Sequence, residues 1–389
     1  MTVLTHRGFS SLYAHVFQKP RAADAFLGWS RAPKAVNVGY WPGEPLFHQG
    51  NLNKYRGPEL KPDPGQPWSH IQALLDALFP IEEEQAHVLD VLAHLVHHPG
   101  RKIRHALHVR GPQGTGKNTL FETLLKLILG PENVHRGDGT AADSRWIDWM
   151  FERQVVVIDE VQQEGGWHLQ NKLKPAITEE VHNVESKNVD FANRTTARLY
   201  VILSNSENHL PIEDGDRRAW VATYGLPRKE PEFYDRLHDA LPREAAGFLH
   251  ALLTRSISHF SPDKAPPMTE AKAQLAADCR PPLQRHLGEM LEGQIGPFAY
   301  DLVVPRHLQP ELRIANFSAV TDEQIRSMLR RLGCRPCASP LPAMRELGPQ
   351  WASDVRVWAV RNVEFLSTAS KAELKAHMLG QFRTGRTAA

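Results

Sequence analysis

Hydrophobic positions follow two different rhythms along this chain. Between Trp68 and Pro99 they recur at helical spacing: Ile71, Leu74, Leu75 and Leu78 form one stripe, and Val88, Val91, Leu92 and Leu95 form the next. Beyond Pro99-Gly100 the rhythm changes. Residues 106–110 read as a strand. Leu120, Leu124, Leu127 and Ile128 read as one face of a helix that stops at Gly130-Pro131. Residues 155–158 and 199–203 are bare apolar runs, the mark of strands buried on both faces. This alternation predicts a parallel α/β sheet between residues 101 and 225.

The flanks read differently. Residues 1–66 open with a short helical start and continue as a stretch with too many prolines and glycines for a long regular element. After Pro227 come two helical patterns, 233–241 and 243–257, and then the hinge SPDKAPPM. Residues 281–365 read as a smaller α+β unit, with a helix at 322–332 capped by Thr321-Asp322 and an alternating strand at 355–360. The predicted division is 1–100 irregular and helical, 101–228 sheet core, 229–280 helical lid and linker, 281–365 small domain, and 366–389 tail.

Composition narrows the class without naming it. At 389 residues, 41% hydrophobic and 23% charged, the chain is long enough for two or three self-supporting domains. Three cysteines argue against a disulfide scaffold and for a reducing compartment. No 18-residue apolar run and no secretory h-region occur, so neither a membrane partner nor export is expected. From Arg280 onward there are 15 Lys/Arg against 10 Asp/Glu, a mildly basic balance open to a nucleic-acid partner or to an ordinary solvated surface. Cys334 and Cys337 form a lone C-x2-C, and His94, His97 and His98 share a helix without a carboxylate partner; neither set is taken as a metal site.

Candidate chemistry concentrates at two strand ends. Gly111, Pro112, Gln113, Gly114, Thr115, Gly116, Lys117, Asn118 and Thr119 lie between a strand and a helix. There, glycine-rich backbone N–H groups converge on phosphate oxygens, the helix N-terminus adds positive potential, and Lys117 reaches the terminal phosphates. About forty residues on, a buried strand ends in Asp159-Glu160. Asp159 is expected to hold Mg2+ and Glu160 to polarise an attacking water. A further strand ends at Ser204-Asn205, where Asn205 can orient that water, and Arg217 and Arg218 follow on a loop able to reach a neighbouring subunit.

GPQGTGKN, VVVIDE and the strand ending in Ser-Asn, with GNLNKYRG, VLAHLVHHPG and DGDRRAW around them, resemble superfamily 3 helicases. Residues 35–275 are similar to the helicase module of phage- and plasmid-type primase-helicases. The resemblance implies an AAA+ P-loop core; the N-terminal helical domain and a small winged-helix-like C-terminal domain at residues 300–365 are read from the residue pattern. The resemblance also implies ATP and Mg2+ as cofactors and a homo-hexameric ring that hydrolyses ATP to translocate on single-stranded or forked DNA in a bacterial host's cytoplasm. In such enzymes a basic hairpin enters the pore. Lys187 is the first candidate here, with Lys174 and Arg194 behind it, and an exposed hairpin charge is the alternative.

Two departures stand out. Asn118 replaces the usual hydroxyl residue that ligates magnesium, and Thr119 can partly substitute. The first 66 residues are too few for a priming domain, so a primase or polymerase is expected as a separate partner. A nucleotide-dependent replication loader or switch without unwinding is the alternative function, and a ring that binds nucleotide but barely hydrolyses it is a third.

Overall fold

The computed structural model describes residues 9, 22–30, 35, 37–138, 148–159, 166–186, 189–204, 211–213, 215–225, 227–317, 319–345 and 351–383. The chain forms two compact units, Met1–Ala276 and Ala277–Ala389.

In the first unit, a helix at Ala22–Gly28 precedes a small sheet of Val38–Gly39, Phe47–His48 and Asn51–Asn53. This is the breaker-rich stretch, and one buried asparagine organises it. The Asn53 amide donates to the carbonyls of Trp41 and Glu44 at 2.7 and 2.9 Å, while its oxygen accepts from the backbone of Trp41 and Tyr55, each at 2.9 Å. Turns that no helix or long strand can satisfy thus find their partners in one side chain.

The predicted stripes then appear as α1 (Ser69–Leu78) and α2 (Glu82–His97). Next come β1 (Ala106–Arg110), a π-helical turn Thr119–Leu124 running straight into α3 (Leu125–Leu129), β2 (Val134–Asp138) and β3 (Val155–Asp159). After α4 (Gly166–Thr178) and a hairpin of Val181–Ser186 and Val189–Thr195 come β4 (Leu199–Ser204), β5 (Ala219–Thr223) and α5 (Pro231–Thr254). The five numbered strands make one parallel sheet in the order β5-β1-β4-β3-β2.

The apolar runs are bare because both faces are covered. Val155, Val157, Leu199, Val201 and Leu203 pack into a core with α1, α2, α3 and α5. Their alternates Val156, Ile158, Tyr200 and Ile202 join Leu169, Leu173 and Ile177 of α4 on the other face. Helix α5 differs from expectation: it continues through Pro242, where two helices were predicted. A proline costs a helix one hydrogen bond and a steric clash, but here a continuous apolar face of Leu237, Leu241, Ala245, Phe248 and Leu252 stays buried in that same core.

The second unit runs α6 (Pro282–Glu292), β6 (Leu302–Val303), α7 (Gln309–Ile314), α8 (Asp322–Arg331), β7 (Arg335–Pro336), β8 (Trp358–Ala359), α9 (Val363–Thr368) and α10 (Lys371–Arg383). Its antiparallel sheet has the order β6-β8-β7. Thr321 and Gln324 cap α8 reciprocally. The segment expected as a tail from 366 instead carries most of α10, whose Leu374 and Met378 are buried with Leu366 against the unit's core. Among the described residues no helix is long and apolar enough to cross a membrane.

Candidate functional site

A cleft of about 290 Å³ opens at the carboxyl ends of β1 and β3. Its floor is the loop after β1. Gly114 and Gly116 sit at φ +76° and +96°, a region that side-chain-bearing residues avoid. A Cβ at Gly116 would stand 2.6 Å from Leu74 of α1, so the loop can lie against its helix only with glycine there. Pro112, Gln113 and Gly114 are exposed at the crown, while Thr115 and Lys117 are buried beneath it.

Lys117 is folded into the loop it serves. Its Nζ donates to the carbonyls of Gly111 and Pro112 at 2.7 and 2.8 Å, and lies 5.8 Å from the centre of the Tyr224 ring. Burial pushes the ammonium down to about 8, with the Asp159 charge acting in the other direction. Thr115 donates to Pro112 O at 2.8 Å and meets the Tyr224 hydroxyl, so β5 braces the loop from behind. An ammonium held by neutral carbonyls in a lined cleft is poised for an anion.

Beside it, Asn118 Nδ2 donates to Asp159 Oδ2 at 2.8 Å, and Asn118 Oδ1 is buried with no hydrogen-bond partner among the described residues. These groups fit a magnesium ion. Two oxygens adjacent in an octahedral shell with bonds of about 2.0–2.1 Å stand roughly 2.9 Å apart, close to the Asn118–Asp159 separation. Turning the amide over presents Oδ1 beside the carboxylate, an arrangement that two oxygens tolerate only with a cation between them. When bound, the ion would neutralise phosphate charge and fix its direction.

The structure brings together residues 113–119 and Asp159 in this cleft, and adds Arg136, Arg228, Tyr234 and His238. The sequence reading missed these four. Arg136 comes from β2, a strand with no apolar run to announce it; Arg228 closes the segment read as sheet core, and Tyr234 and His238 lie in a segment read only as helical. Arg228 lies over the Tyr234 ring at 5.4 Å, and His238 Nε2 is 3.4 Å from Thr119 Oγ1.

The remaining candidates lie elsewhere. Arg217 is exposed, and Arg218 is tied into its own loop by bonds of 2.9 and 3.3 Å to Asp216; neither lines the cleft. Lys174 pairs with Glu213 at 3.4 Å, and Arg194 with Glu152 at 3.2 Å. Glu160, Lys187 and Asn205 lie outside the described residues.

Comparison with known proteins does not support the helicase resemblance. The model of a family of unknown function (DUF5906) matches residues 109–218. A DNA primase-polymerase of Nitratiruptor phage NrS-1 is 28% identical over 127 residues, or 32% of this chain. This chain spans 18% of the length of that relative. The A-form apo structure of the NrS-1 C-terminal region matches with a TM-score of 0.68 at 18% identity, covering 90% of each chain. An apo structure of its residues 305–718 matches with a TM-score of 0.59 at 20% identity, covering 84% of this chain and 78% of that one.

The fold is therefore α/β, built on a five-stranded parallel sheet and like that of the NrS-1 C-terminal region. This corrects the AAA+ P-loop helicase core with a winged-helix-like domain. The relative is a primase-polymerase, which overturns the superfamily 3 assignment, the ATP hydrolase and translocase activity drawn from it, and the loader alternative. The physical reason lies in what the motifs encode. GPQGTGKN and the strand ending in Asp159 specify a glycine loop with a buried lysine and one acid beside it, and many reactions can use such a cleft. The parts that made a helicase reading specific are the pore lysine, the water-orienting asparagine and the arginines acting in trans. None of them is part of the loop or of the strand ending in Asp159, so these two motifs do not specify them.

Proposed function

We propose that this protein serves phage-type DNA replication as a primase-polymerase-like protein, and that the cleft is its nucleotide site. Loop residues Gly111 to Thr119 bind the phosphates of ATP or another nucleoside triphosphate, Lys117 neutralises them, and Asn118 with Asp159 holds Mg2+. The observation that carries this reading is the buried, unpartnered Asn118 oxygen beside Asp159 at the mouth of a positive-φ glycine loop. The sequence relative supports the replication role, and the fold likeness is consistent with it. Single-stranded or forked DNA is the macromolecular partner, with a primase or polymerase acting alongside in the host cytoplasm. A homo-hexamer is the assembly to look for by mass measurement.

The test has two arms. A fluorescent nucleoside triphosphate is titrated with and without Mg2+, and primer synthesis from labelled nucleotides is followed on single-stranded DNA. Saturable, magnesium-enhanced binding that is lost in Lys117→Ala supports the nucleotide site; no binding at millimolar nucleotide overturns it. Labelled primers formed by the protein, alone or with its polymerase partner, support the replication role. Products that are the same with and without this chain overturn it.

A further inference from the structure

Asp159 has a second cationic neighbour that no motif marks. Arg136 Nη2 stands 2.7 Å from Asp159 Oδ2, the oxygen that also takes the Asn118 amide hydrogen. Arg136 Nη1 lies 3.7 Å from Glu122 Oε2, and Glu122 is held in turn by Lys126 at 2.7 Å. Strand register explains the reach: Arg136 is opposite Val157, two residues before Asp159, so its side chain must run along the strand to meet the acid. The Arg136 side chain is 42% exposed while that of Asp159 is 7% exposed, so the mobile member of the pair is the arginine.

A guanidinium and a divalent ion repel each other across one carboxylate oxygen, so each weakens the other's hold on Asp159. We propose that Arg136 is a charge stand-in for the metal: it neutralises Asp159 while no cation is bound, yields that oxygen when Mg2+ arrives with a nucleotide, and turns its fork to the phosphates. This rests on the nucleotide reading above. Three features carry it. Arg136 lines the same cleft as the glycine loop, so its planar donors are within the space that phosphates would fill. Glu122 remains as an anchor on the far side once Asp159 is given up. Asn118 must present its oxygen to a cation, and in doing so it too withdraws its hydrogen from Asp159 Oδ2. Two donors thus leave one oxygen together, replaced by one divalent charge. Competition for a shared ligand is reciprocal: whatever Arg136 contributes at Asp159 is subtracted from magnesium affinity.

The experiment measures nucleotide affinity in EDTA and across a Mg2+ series for the intact protein, Arg136→Ala and Arg136→Gln, with thermal melts to confirm folding. Both variants should reach half-maximal magnesium stimulation at a lower concentration, on the order of tenfold. In EDTA both should bind nucleotide more weakly, because the Asp159 charge beside the phosphates is no longer neutralised, and at saturating Mg2+ both should stay weaker than the intact protein because a phosphate contact is gone. A purely structural ion pair would move the melting temperature and leave the magnesium midpoint where it is. An unchanged midpoint in either folded variant overturns the proposal. If the intact protein binds no nucleotide in any condition, the nucleotide reading fails and this inference fails with it, which separates the two outcomes.

Discussion

Asn118 turns its amide hydrogen, not its oxygen, toward Asp159. Among the described residues the buried oxygen has no donor to accept from, which costs roughly 1–3 kcal/mol for such a group. A ligand that uses the oxygen recovers that cost. Asn118→Thr, which keeps an oxygen at this position, should retain magnesium-enhanced nucleotide binding. Asn118→Leu should bind nucleotide equally with and without magnesium. Isothermal titration of both variants checks this, and a magnesium effect that persists in Asn118→Leu would remove residue 118 from the metal shell.

Lys117→Ala should weaken nucleotide binding at least tenfold, since no other ammonium lines the cleft among the described residues. It also removes the Lys117 hydrogen bond from the Gly111 carbonyl and leaves the Pro112 carbonyl with Thr115 alone. Melting temperature should therefore be measured in parallel, so that lost affinity is not confused with lost fold.

Gly116→Ala should destabilise the first unit by about 2–4 kcal/mol. The added methyl group meets both an unfavourable φ of +96° and the Leu74 side chain at 2.6 Å. Urea unfolding gives the number. A loss below about 1 kcal/mol would mean that α1 shifts to make room.

Stability should fall in mild acid. Burial pushes His87 and His94 down to about 4 and His105 down to about 3, and His87 Nε2 lies 3.2 Å from His105 Nε2. Their unfolded pKa is about 6.5, so between that value and about 4 the unfolded chain binds protons that the folded one refuses. The stability is fully present above about pH 6.5 and declines as pH drops toward 4. Denaturant midpoints at pH 7 and pH 5 should show this decline, and a His87→Phe, His105→Phe double variant should flatten it.

Arg217→Ala should leave the nucleotide affinity of the dilute protein within about twofold, a difference of roughly 0.4 kcal/mol, because Arg217 does not line the cleft. Arg218→Ala should instead cost about 1–3 kcal/mol of stability. Burial raises the Asp216 pKa, but the bonds from Arg218 more than offset this and hold its carboxyl below the usual range. Without them a buried acid loses its main partner.

The sheet was legible because both-face burial leaves a plain mark. Runs such as Val155 to Ile158 have no polar face, and the glycine loop sits where such a strand gives way to a helix. Asp159 was legible for the same reason, as the first polar residue after a buried run. Arg136 and Arg228 were not. Each is an isolated arginine outside any apolar period, and only the three-dimensional register brings them to the loop. The family assignment failed for a related cause. Short collinear motifs report local backbone chemistry, and that chemistry is common to proteins that use nucleotides for different ends. Asn53 shows the opposite limit, since a stretch without periodicity is held by a single side chain that no window average detects.

The π-helical turn at Thr119–Leu124 ties the site to the length of the chain itself. A π turn carries one residue more than the α-helix it interrupts, so it is what a single-residue insertion leaves behind. The turn absorbs that residue locally: without it the extra residue would rotate everything upstream of Leu125–Leu129 by about 100° around the axis, taking Leu120 and Leu124 out of the core and swinging Asn118 away from Asp159. A related chain one residue shorter here should close into a regular α-helix and still keep the loop and the acid together.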